Sequence, residues 1–271
     1  MSNEIDRRGT FRNWARFALA MGALNVKATL AHRGAFWLQA TIMMVNNLIF
    51  CVTWFIFFAH FEEINGWRLG ELLALYGVVA LSFGCSVAFS GGTREIARMV
   101  VDGDLDTFLA QPKSVLTQAV CSRSFASGWG DIASGFILLG LSGYATLENT
   151  PLILLSTLCG WAIIASTAVI AHSLAFWLGP IGDLARQFTH FLITFAVYPQ
   201  NIYGGWVKVL LFTVVPAGFI GFLPVELLGE FDAWQLAALV GGTLGYLGIA
   251  YAAFSLGLRR YESGNRIGVR V

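Results

Sequence analysis

Few side chains of this chain could do chemistry, and none has a catalytic spacing. The three lysines, Lys27, Lys113 and Lys208, do not follow a glycine, so the chain has no phosphate-binding loop of the GxxxxGK[ST] type. The four histidines are isolated, and neither an HExxH pair nor a CxxC pair of metal ligands occurs. Ser134 would have to serve as an intramembrane nucleophile without the usual GxSG context. The sequence therefore excludes a P-loop ATPase and favours no enzyme.

Three ionisable residues fall close to apolar stretches: Asp131, Asp183 and Arg186. A carboxylate inside a membrane is a candidate functional group, because burying its charge is expensive. We expect these three residues to lie near the membrane boundary, where they are solvated or pair with Arg123 or with one another. They do not suggest a proton relay.

The longest polar stretch, 93–121, has more internal organisation than any other part of the chain. Its first residues, 93–98, predict a short helix that carries Arg94 and Arg98. Gly103 then permits a turn.

A second short helix is predicted directly after that turn. Asp104 can cap it, Leu105, Phe108 and Leu109 form an apolar stripe, and Pro112 stops it. Such a helix on a membrane protein either docks into the groove of a partner or packs back against its own spans. Docking is the interpretation that we favour.

The composition shows what these segments are attached to. Hydrophobic residues make up 56% of the 271 residues and charged residues 12%, about half of the roughly 25% typical of soluble domains. So few charges cannot cover a soluble core. We therefore predict an all-α, polytopic membrane protein.

Six membrane-spanning helices are predicted from the stretches that are free, or nearly free, of charge. About 20 residues are needed to cross a hydrocarbon core about 30 Å thick. The predicted spans are about 34–61, 70–92, 122–146, 151–179, 187–207 and 233–258. With a cytoplasmic N-terminus, 15 of the 17 basic residues fall on the inner side, as the positive-inside rule requires. The outer loops carry acidic residues, and both termini are predicted to be cytoplasmic.

Two further segments are predicted at the membrane surfaces. Residues 10–32 form an amphipathic interfacial helix, with Arg12, Arg16 and Lys27 on one face and Trp14 on the other. The stretch 208–231 is expected to be a broken, re-entrant or extracellular helical segment.

Prolines are the reason for that last expectation. Tyr198-Pro199 should end or kink the fifth span near the outer side. Pro216 and Pro224 then interrupt an apolar piece that is too short to cross on its own. Broken helices survive in lipid only where protein or water supplies partners for the main chain.

These features together resemble a known family. The pattern G-x-L-D-x-x-L-x-x-P, formed by Gly103, Leu105, Asp106, Leu109 and Pro112, is similar to the cytoplasmic signature of ABC-2 type transporter permeases. The similarity is greatest to the bacterial branch of about this length that has no fused ATPase. That branch often has arginine before the proline, where this chain has Gln111. Tyr198-Pro199 and Arg260-Tyr261-x-Ser263 also resemble the family.

The resemblance implies the membrane permease subunit of an ATP-driven exporter in the bacterial plasma membrane. Two permeases, identical or sister chains, would enclose the path, and P-loop ABC ATPase subunits would bind beneath them. The 93–121 segment, with Arg94, Arg98 and Asp104, and the interfacial helix would meet these ATPases. The broken segment with Tyr198, Pro199, Pro216 and Pro224 would form the extracellular gate.

The same resemblance also indicates where cofactors bind, and two alternative functions remain beside it. The chain itself is expected to bind no cofactor or metal, since ATP and magnesium belong to the partner ATPase, and no nucleic-acid partner is expected. An ion- or proton-coupled secondary transporter is the first alternative, although it needs charges deep in the spans. An integral membrane enzyme is the second.

Overall fold

A computed structural model gives the main chain over residues 2–63 and 66–262, and the side chains from Arg16 onward within those ranges. All regular elements in these residues are helical, and they contain no β-strand. The predicted all-α class is confirmed.

The helices differ greatly in length. Thirteen α-helices follow one another in the described residues: α1 Ser2–Ala31, α2 Arg33–Phe58, α3 Leu69–Phe89, α4 Ile96–Asp102, α5 Asp106–Leu109, α6 Val115–Val120, α7 Ser127–Ser142, α8 Thr150–Ser173, α9 Ala175–Leu178, α10 Gly182–Ala196, α11 Trp206–Thr213, α12 Leu223–Gly229 and α13 Ala233–Leu258. A 3-10 turn, Gly91–Glu95, joins α3 to α4, and a π-helical turn, Gly218–Phe222, leads into α12.

Four of these helices are long and apolar enough to cross a membrane: α2, α3, α8 with its extension to Leu178, and α13. The pair Trp206–Thr213 and Gly218–Gly229 passes the same test only jointly, and its two halves are bent by 79°. Hydropathy and helix length thus support a multi-pass membrane protein with four or five such helices. The number of six spans stays a prediction.

The other two predicted spans appear as shorter helices. Helix α7 has 16 residues and α10 has 15, which at about 1.5 Å per residue gives roughly 24 Å and 22 Å. Gly143, at φ +80°, ends α7 before residue 146. Helix α10 begins at Gly182 rather than at 187 and ends at Ala196 rather than at 207, because the Tyr198-Pro199 break comes earlier than hydropathy indicates.

Helices α3 and α7 form the tightest pair of the bundle, through a seam of small residues seven apart. Gly84 lies against Gly128, and Gly77 against Gly135, in an antiparallel arrangement. A Cβ atom added at Gly84 would lie 2.7 Å from the carbonyl oxygen of Gly128, so only glycine fits. Close main-chain approach at small residues is the usual source of helix association in membranes.

Helix α8 crosses the middle of the molecule and packs against α3, α10 and α13. Near the end of α3, the indole N–H of Trp161 donates to the hydroxyl of Ser90 at 2.9 Å. Ser90 follows Phe89, the last residue of α3, at the Ser-Gly-Gly stop.

The connections place charges of opposite sign at the two ends of the bundle. We call one end of the bundle the basic end, because its elements carry Arg94, Arg98, Lys113, Arg123, Arg186, Arg259 and Arg260. The acidic end carries Glu62, Glu63, Glu71, Glu148, Glu226, Glu230 and Asp232. Acidic residues such as Glu95 and Asp102 also lie at the basic end, and Arg68 and Lys208 lie at the acidic end. Among the described residues, each end therefore has an excess of one sign of charge.

Candidate functional site

The 93–121 segment lies at the basic end, and Gly103 sets its shape. Helix α4 stops at Asp102 because Gly103 takes the left-handed conformation, with φ +77°. Asp104 then donates its main-chain N–H to the carbonyl of Met99 at 3.0 Å, which closes the turn.

Asp104 acts differently from the predicted side-chain cap of α5. Its main-chain carbonyl accepts from the hydroxyl of Thr107 at 2.7 Å, and its carboxylate lies 3.8 Å from Arg98. The capping position before α5 is Leu105, which makes no side-chain hydrogen bond to the helix.

Leu105 lies in the chain's own core. It is fully buried, in a cluster that joins α4 to the basic ends of α8 and α13, with members such as Ile96, Val169 and Phe254. The turn at Gly103 directs this side chain inward. Leu105 therefore anchors the segment, and a partner protein cannot contact it in this structure.

The opposite side of the segment faces outward. The side chain of Leu109 is 46% exposed and that of Val101 is 36% exposed. Gln111 and Pro112, which follow α5, are exposed as well. The amide of Gln118 donates to the carbonyl of Phe108 at 3.2 Å and so holds the end of α5 in place. The segment thus presents a fixed, partly apolar surface.

Arg98 forms ion pairs with three acidic residues of this segment. Its guanidinium lies 2.8 Å from Glu95, 3.5 Å from Asp102 and 3.8 Å from Asp104. The hydrogen bond to Glu95 is the main reason that the pKa of Arg98 is raised. The group is half-exposed, so this network contributes little to stability but fixes the charges of the surface.

Arg94 points into the protein instead. Its guanidinium carbon lies 5.0 Å from the ring centre of Phe83, a cation–π contact. Burial lowers the pKa of Arg94, while the carboxylate of Asp131 opposes that change. Arg94 is therefore a structural cation at the base of the bundle.

The family resemblance also includes Tyr261, which follows α13 and lies beside the same segment. Burial, followed by the proximity of the carboxylates of Asp106 and Asp104, raises the pKa of Tyr261 to about 12. Its ring meets that of Phe176 edge-on, with the centres 6.3 Å apart. Ser263 lies outside the described residues.

The N-terminal helix α1 is attached to the basic end by polar contacts. Asn25 donates to the carbonyl of Cys121 at 2.6 Å, and Thr29 donates to that of Ser124 at 3.2 Å. Arg16 and Lys27 are exposed. The side chains of the other two predicted residues of this helix, Arg12 and Trp14, lie outside the described residues.

Asp131 is buried, which corrects the expectation that it is solvated. It is 2% exposed, and Asn47 of α2 donates to it at 2.8 Å and to the hydroxyl of Ser134 at 2.7 Å. Asp183 and Arg186 do pair with each other at the basic end, as one of the expectations stated. Hydropathy did not reveal the depth of Asp131, because one charge hardly changes a window average.

The broken segment at the acidic end is held by buried prolines and a polar cluster. Pro199, Pro216 and Pro224 are all buried. Glu226 of α12 accepts from Gln200, and it also accepts from Gln235 of α13 at 3.2 Å.

Tyr198 lies apart from that polar cluster. Its ring meets Phe50 and Trp54 of α2, with ring centres 6.1 Å and 6.4 Å away. Tyr198 thus faces α2, while the polar cluster joins α12 to α13. Pro216 lies at the bend between the two halves of the broken segment, close to Thr213, whose carbonyl accepts from Tyr246 in the middle of α13.

The aromatic residues of α2 are functional candidates that hydropathy and charge did not indicate. Phe50, Trp54, Phe57 and Phe61 follow one another at spacings of four, three and four residues. Such spacing places side chains on one face of a helix, and it was the signal that could have revealed them. No cluster of three or more His, Cys, Asp or Glu residues that could hold a metal occurs in the residues the structure describes.

Comparison with known proteins gives the family of the chain. Residues 41–265 match the family described as ABC-2 family transporter protein. Neither the curated proteins nor the solved structures provide a match. The matched region extends from α2 to beyond α13 and so includes the whole 93–121 segment and the broken segment. The chain therefore belongs to the ABC-2 family of transporter proteins.

Proposed function

We propose that this protein is the membrane permease subunit of an ATP-driven ABC-2 type exporter. Two permeases, either identical copies or this chain with a sister chain, form the substrate path. Separate P-loop ABC ATPase subunits bind at the basic end and supply the energy. Family membership and the apolar, multi-helix fold support this proposal.

The observation that carries the proposal is the two-sided construction of the 93–121 segment. Leu105, directly before α5, is fully buried in the chain's own core, whereas Leu109 at the end of α5 is exposed. An element that is rigidly attached to α8 and α13 on one side and open on the other can transmit the movement of a partner to these helices. The exposed residues around α5 are then the contact with the ATPase.

The proposal includes an orientation in the membrane. The basic end faces the cytoplasm, because lysine and arginine are enriched on that side of bacterial plasma membranes. Both termini are then cytoplasmic, and α1 lies in the inner interface. The six predicted spans include α7 and α10, with the turns that flank each helix completing the crossing.

The exposed face of α2 supports the pairing of two permeases. Ile42 and Ile49 are exposed along it, and so is Asn46, which directly precedes the buried Asn47. A polar side chain on an open face of a membrane helix is best satisfied by protein or by a water-filled path. We place the substrate path along this face, with the broken segment at its outer mouth.

In this proposal the chain itself is not an enzyme. ATP and magnesium bind to the partner ATPase, because this sequence contains no P-loop. The permease supplies binding surfaces and movement.

One observation favours a proton-coupled transporter as the second candidate. Asp131 is buried, and one of its carboxylate oxygens has no hydrogen-bond partner among the described residues. Its other oxygen, however, is bonded to Asn47 of the same chain, so the pair also serves as a structural link between α2 and α7. The ABC-2 family membership favours the ATP-driven function.

Co-purification of the partner tests the proposal. The tagged protein, extracted in mild detergent, should bring down a P-loop ABC ATPase that mass spectrometry identifies by its peptides. Leu109→Glu should release that ATPase, since the exposed side chain leaves the contact without affecting the core.

Leu147→Glu is the matched control, because Leu147 is 93% exposed at the acidic end. It should retain the ATPase. Equal retention by both variants would show that the 93–121 segment is not the contact, and a protein that purifies without any ATPase would contradict the proposed function.

A further inference from the structure

The outer half of α2 carries a row of aromatic residues on one helix face: Phe50, Trp54, Phe57 and then Phe61 just beyond the helix. Not all of these side chains are buried in the core. Phe57 is 49% exposed and Phe61 is 57% exposed. The row therefore forms an accessible surface at the acidic end.

This surface is the wall of a cavity of about 620 Å³. Its lining consists of Phe50, Thr53, Trp54, Phe57, Phe61, Glu63 and Tyr198. The cavity is open on one side, and five of its seven lining residues are aromatic, so a ligand there would contact mainly ring surfaces. A volume of this size suits a small organic molecule.

Three of the rings are inclined steeply to one another. Phe50 and Tyr198 meet at 81° with centres 6.1 Å apart, and Trp54 and Tyr198 meet at 67° with centres 6.4 Å apart. Phe50 and Trp54 meet at 72°. Rings that adjoin at such angles form a corner, in which one bound group can contact more than one aromatic surface.

The corner is preorganised by the core behind it. One face of Phe50 stacks on Tyr76 of α3, with ring centres 4.8 Å apart and an interplanar angle of 16°. Tyr198 in turn packs against both Phe50 and Trp54, and the residue after it, Pro199, is buried. Little side-chain entropy is then lost when a ligand binds, which favours affinity.

The charge of the cavity indicates what it would bind. Among its lining residues, Glu63 is the only charged one, and it is acidic. Aromatic faces carry negative potential, and cages of aromatic rings recognise alkylated ammonium groups. A carboxylate at the rim adds long-range attraction for a cation.

Building on the proposed exporter function, we propose that this cavity binds the cargo and that the cargo is an amphipathic organic cation with an alkylated ammonium group. The ammonium group lies against Phe50, Trp54 and Tyr198, with Glu63 at the rim. The apolar remainder of the cargo extends along Phe57 and Phe61. The cavity then sets cargo selectivity near the outer mouth of the path.

Direct binding tests this assignment with a permanently charged probe. The full chain, together with the subunits that co-purify with it, is placed in nanodiscs of phosphatidylethanolamine and phosphatidylglycerol. Equilibrium dialysis then measures labelled benzyltrimethylammonium, with empty nanodiscs as the background. Saturable binding is expected. Its neutral isostere, neopentylbenzene, should compete at least about tenfold less well.

Two variants locate the site on the protein. Trp54→Ala should weaken binding of the probe by about tenfold, because it removes one ring. Glu63→Gln keeps the shape and should weaken binding by about two- to fivefold, with a smaller effect at high salt.

The matched controls are Trp37→Ala, which removes an exposed tryptophan elsewhere on α2, and Glu62→Gln beside the rim residue. Both should bind the probe as the unsubstituted protein does. Equal competition by the neutral isostere, or equal loss in test and control variants, would overturn the assignment.

A last arm distinguishes free cations from membrane lipid. The choline headgroup of phosphatidylcholine has the same ammonium chemistry, so we repeat the measurement in phosphatidylcholine nanodiscs. Unchanged affinity supports a free organic cation as the ligand. Abolished binding would show that lipid headgroups occupy the cavity and would contradict the cargo assignment. Because no ATP is used, failure here leaves the association with the ATPase unaffected.

Discussion

Tyr261, just beyond α13, packs against the buried cluster that contains Leu105, the residue directly before α5. Both residues belong to the motifs that resemble the ABC-2 permeases, and 155 residues of chain separate them. This cluster joins the end of the last long helix to the 93–121 segment. Movement at α5 is therefore coupled to α13 as well as to α8.

The burial of Tyr261 predicts a pH dependence at high pH. Burial, with the carboxylates of Asp106 and Asp104 nearby, raises the pKa of Tyr261 from 10.0 to about 12, so the folded protein holds the phenolic proton more tightly than the unfolded chain does. The resulting stabilisation is fully present below about pH 10 and is lost as the pH rises towards 12. Thermal unfolding should show a steeper loss of stability over this range for the original protein than for Tyr261→Phe. Parallel curves would contradict this placement of the phenol.

The two leucines of the signature predict opposite outcomes. Leu105→Ala leaves a void in a fully buried site and should lower the free energy of unfolding by about 2–5 kcal/mol. Leu109→Ala at the half-exposed site should change it by less than about 1 kcal/mol. Thermal-shift measurements in detergent check both. Similar losses for the two variants would mean that α5 is turned differently.

The glycine seam between α3 and α7 predicts a steric effect. Gly84→Leu forces the helices apart, because even a Cβ atom would lie 2.7 Å from the carbonyl oxygen of Gly128. The yield of monodisperse protein in size-exclusion chromatography should fall sharply. Gly140→Leu is the control on α7, since no atom lies within 4 Å of a Cβ added there. A normal yield for Gly84→Leu would refute the close packing.

The buried polar pair between α2 and α7 predicts an energetic coupling. In a double-mutant cycle of Asn47→Leu and Asp131→Leu, the interaction should be on the order of 1 kcal/mol, because hydrogen bonds between membrane helices average somewhat below that. Asn47→Leu removes the donor to Asp131, and Asp131→Leu leaves Asn47 with only Ser134 of its two acceptors. The double variant should therefore be less destabilised than the sum. Strict additivity in reversible unfolding experiments would count against the bond.

Hydropathy predicted the long helices well, because each needs only a run of apolar residues and a charge at its ends. It placed the ends of α7 and α10 less well, since Gly143 and the break before Pro199 act through main-chain conformation rather than polarity. The apolar stripe of α5 was evident, but the sequence did not show which of its leucines the chain's own core covers.

The aromatic cavity needed the fold. Phe50 and Tyr198 are far apart in sequence, and nothing local indicates that their rings meet. The same applies to the glycine seam, whose members become informative only when α3 and α7 are paired in register.

The central claim is that this chain is a permease driven by a separate ATPase, and the most direct test is native mass spectrometry of the intact complex released from native membranes. The expected assembly contains two permease chains, either identical copies or this chain with a sister chain, and two P-loop ABC ATPase chains. The assembly should lose its ATPases in the Leu109→Glu variant. A permease that appears only as a single chain, without an ATPase under any mild condition, would contradict the account.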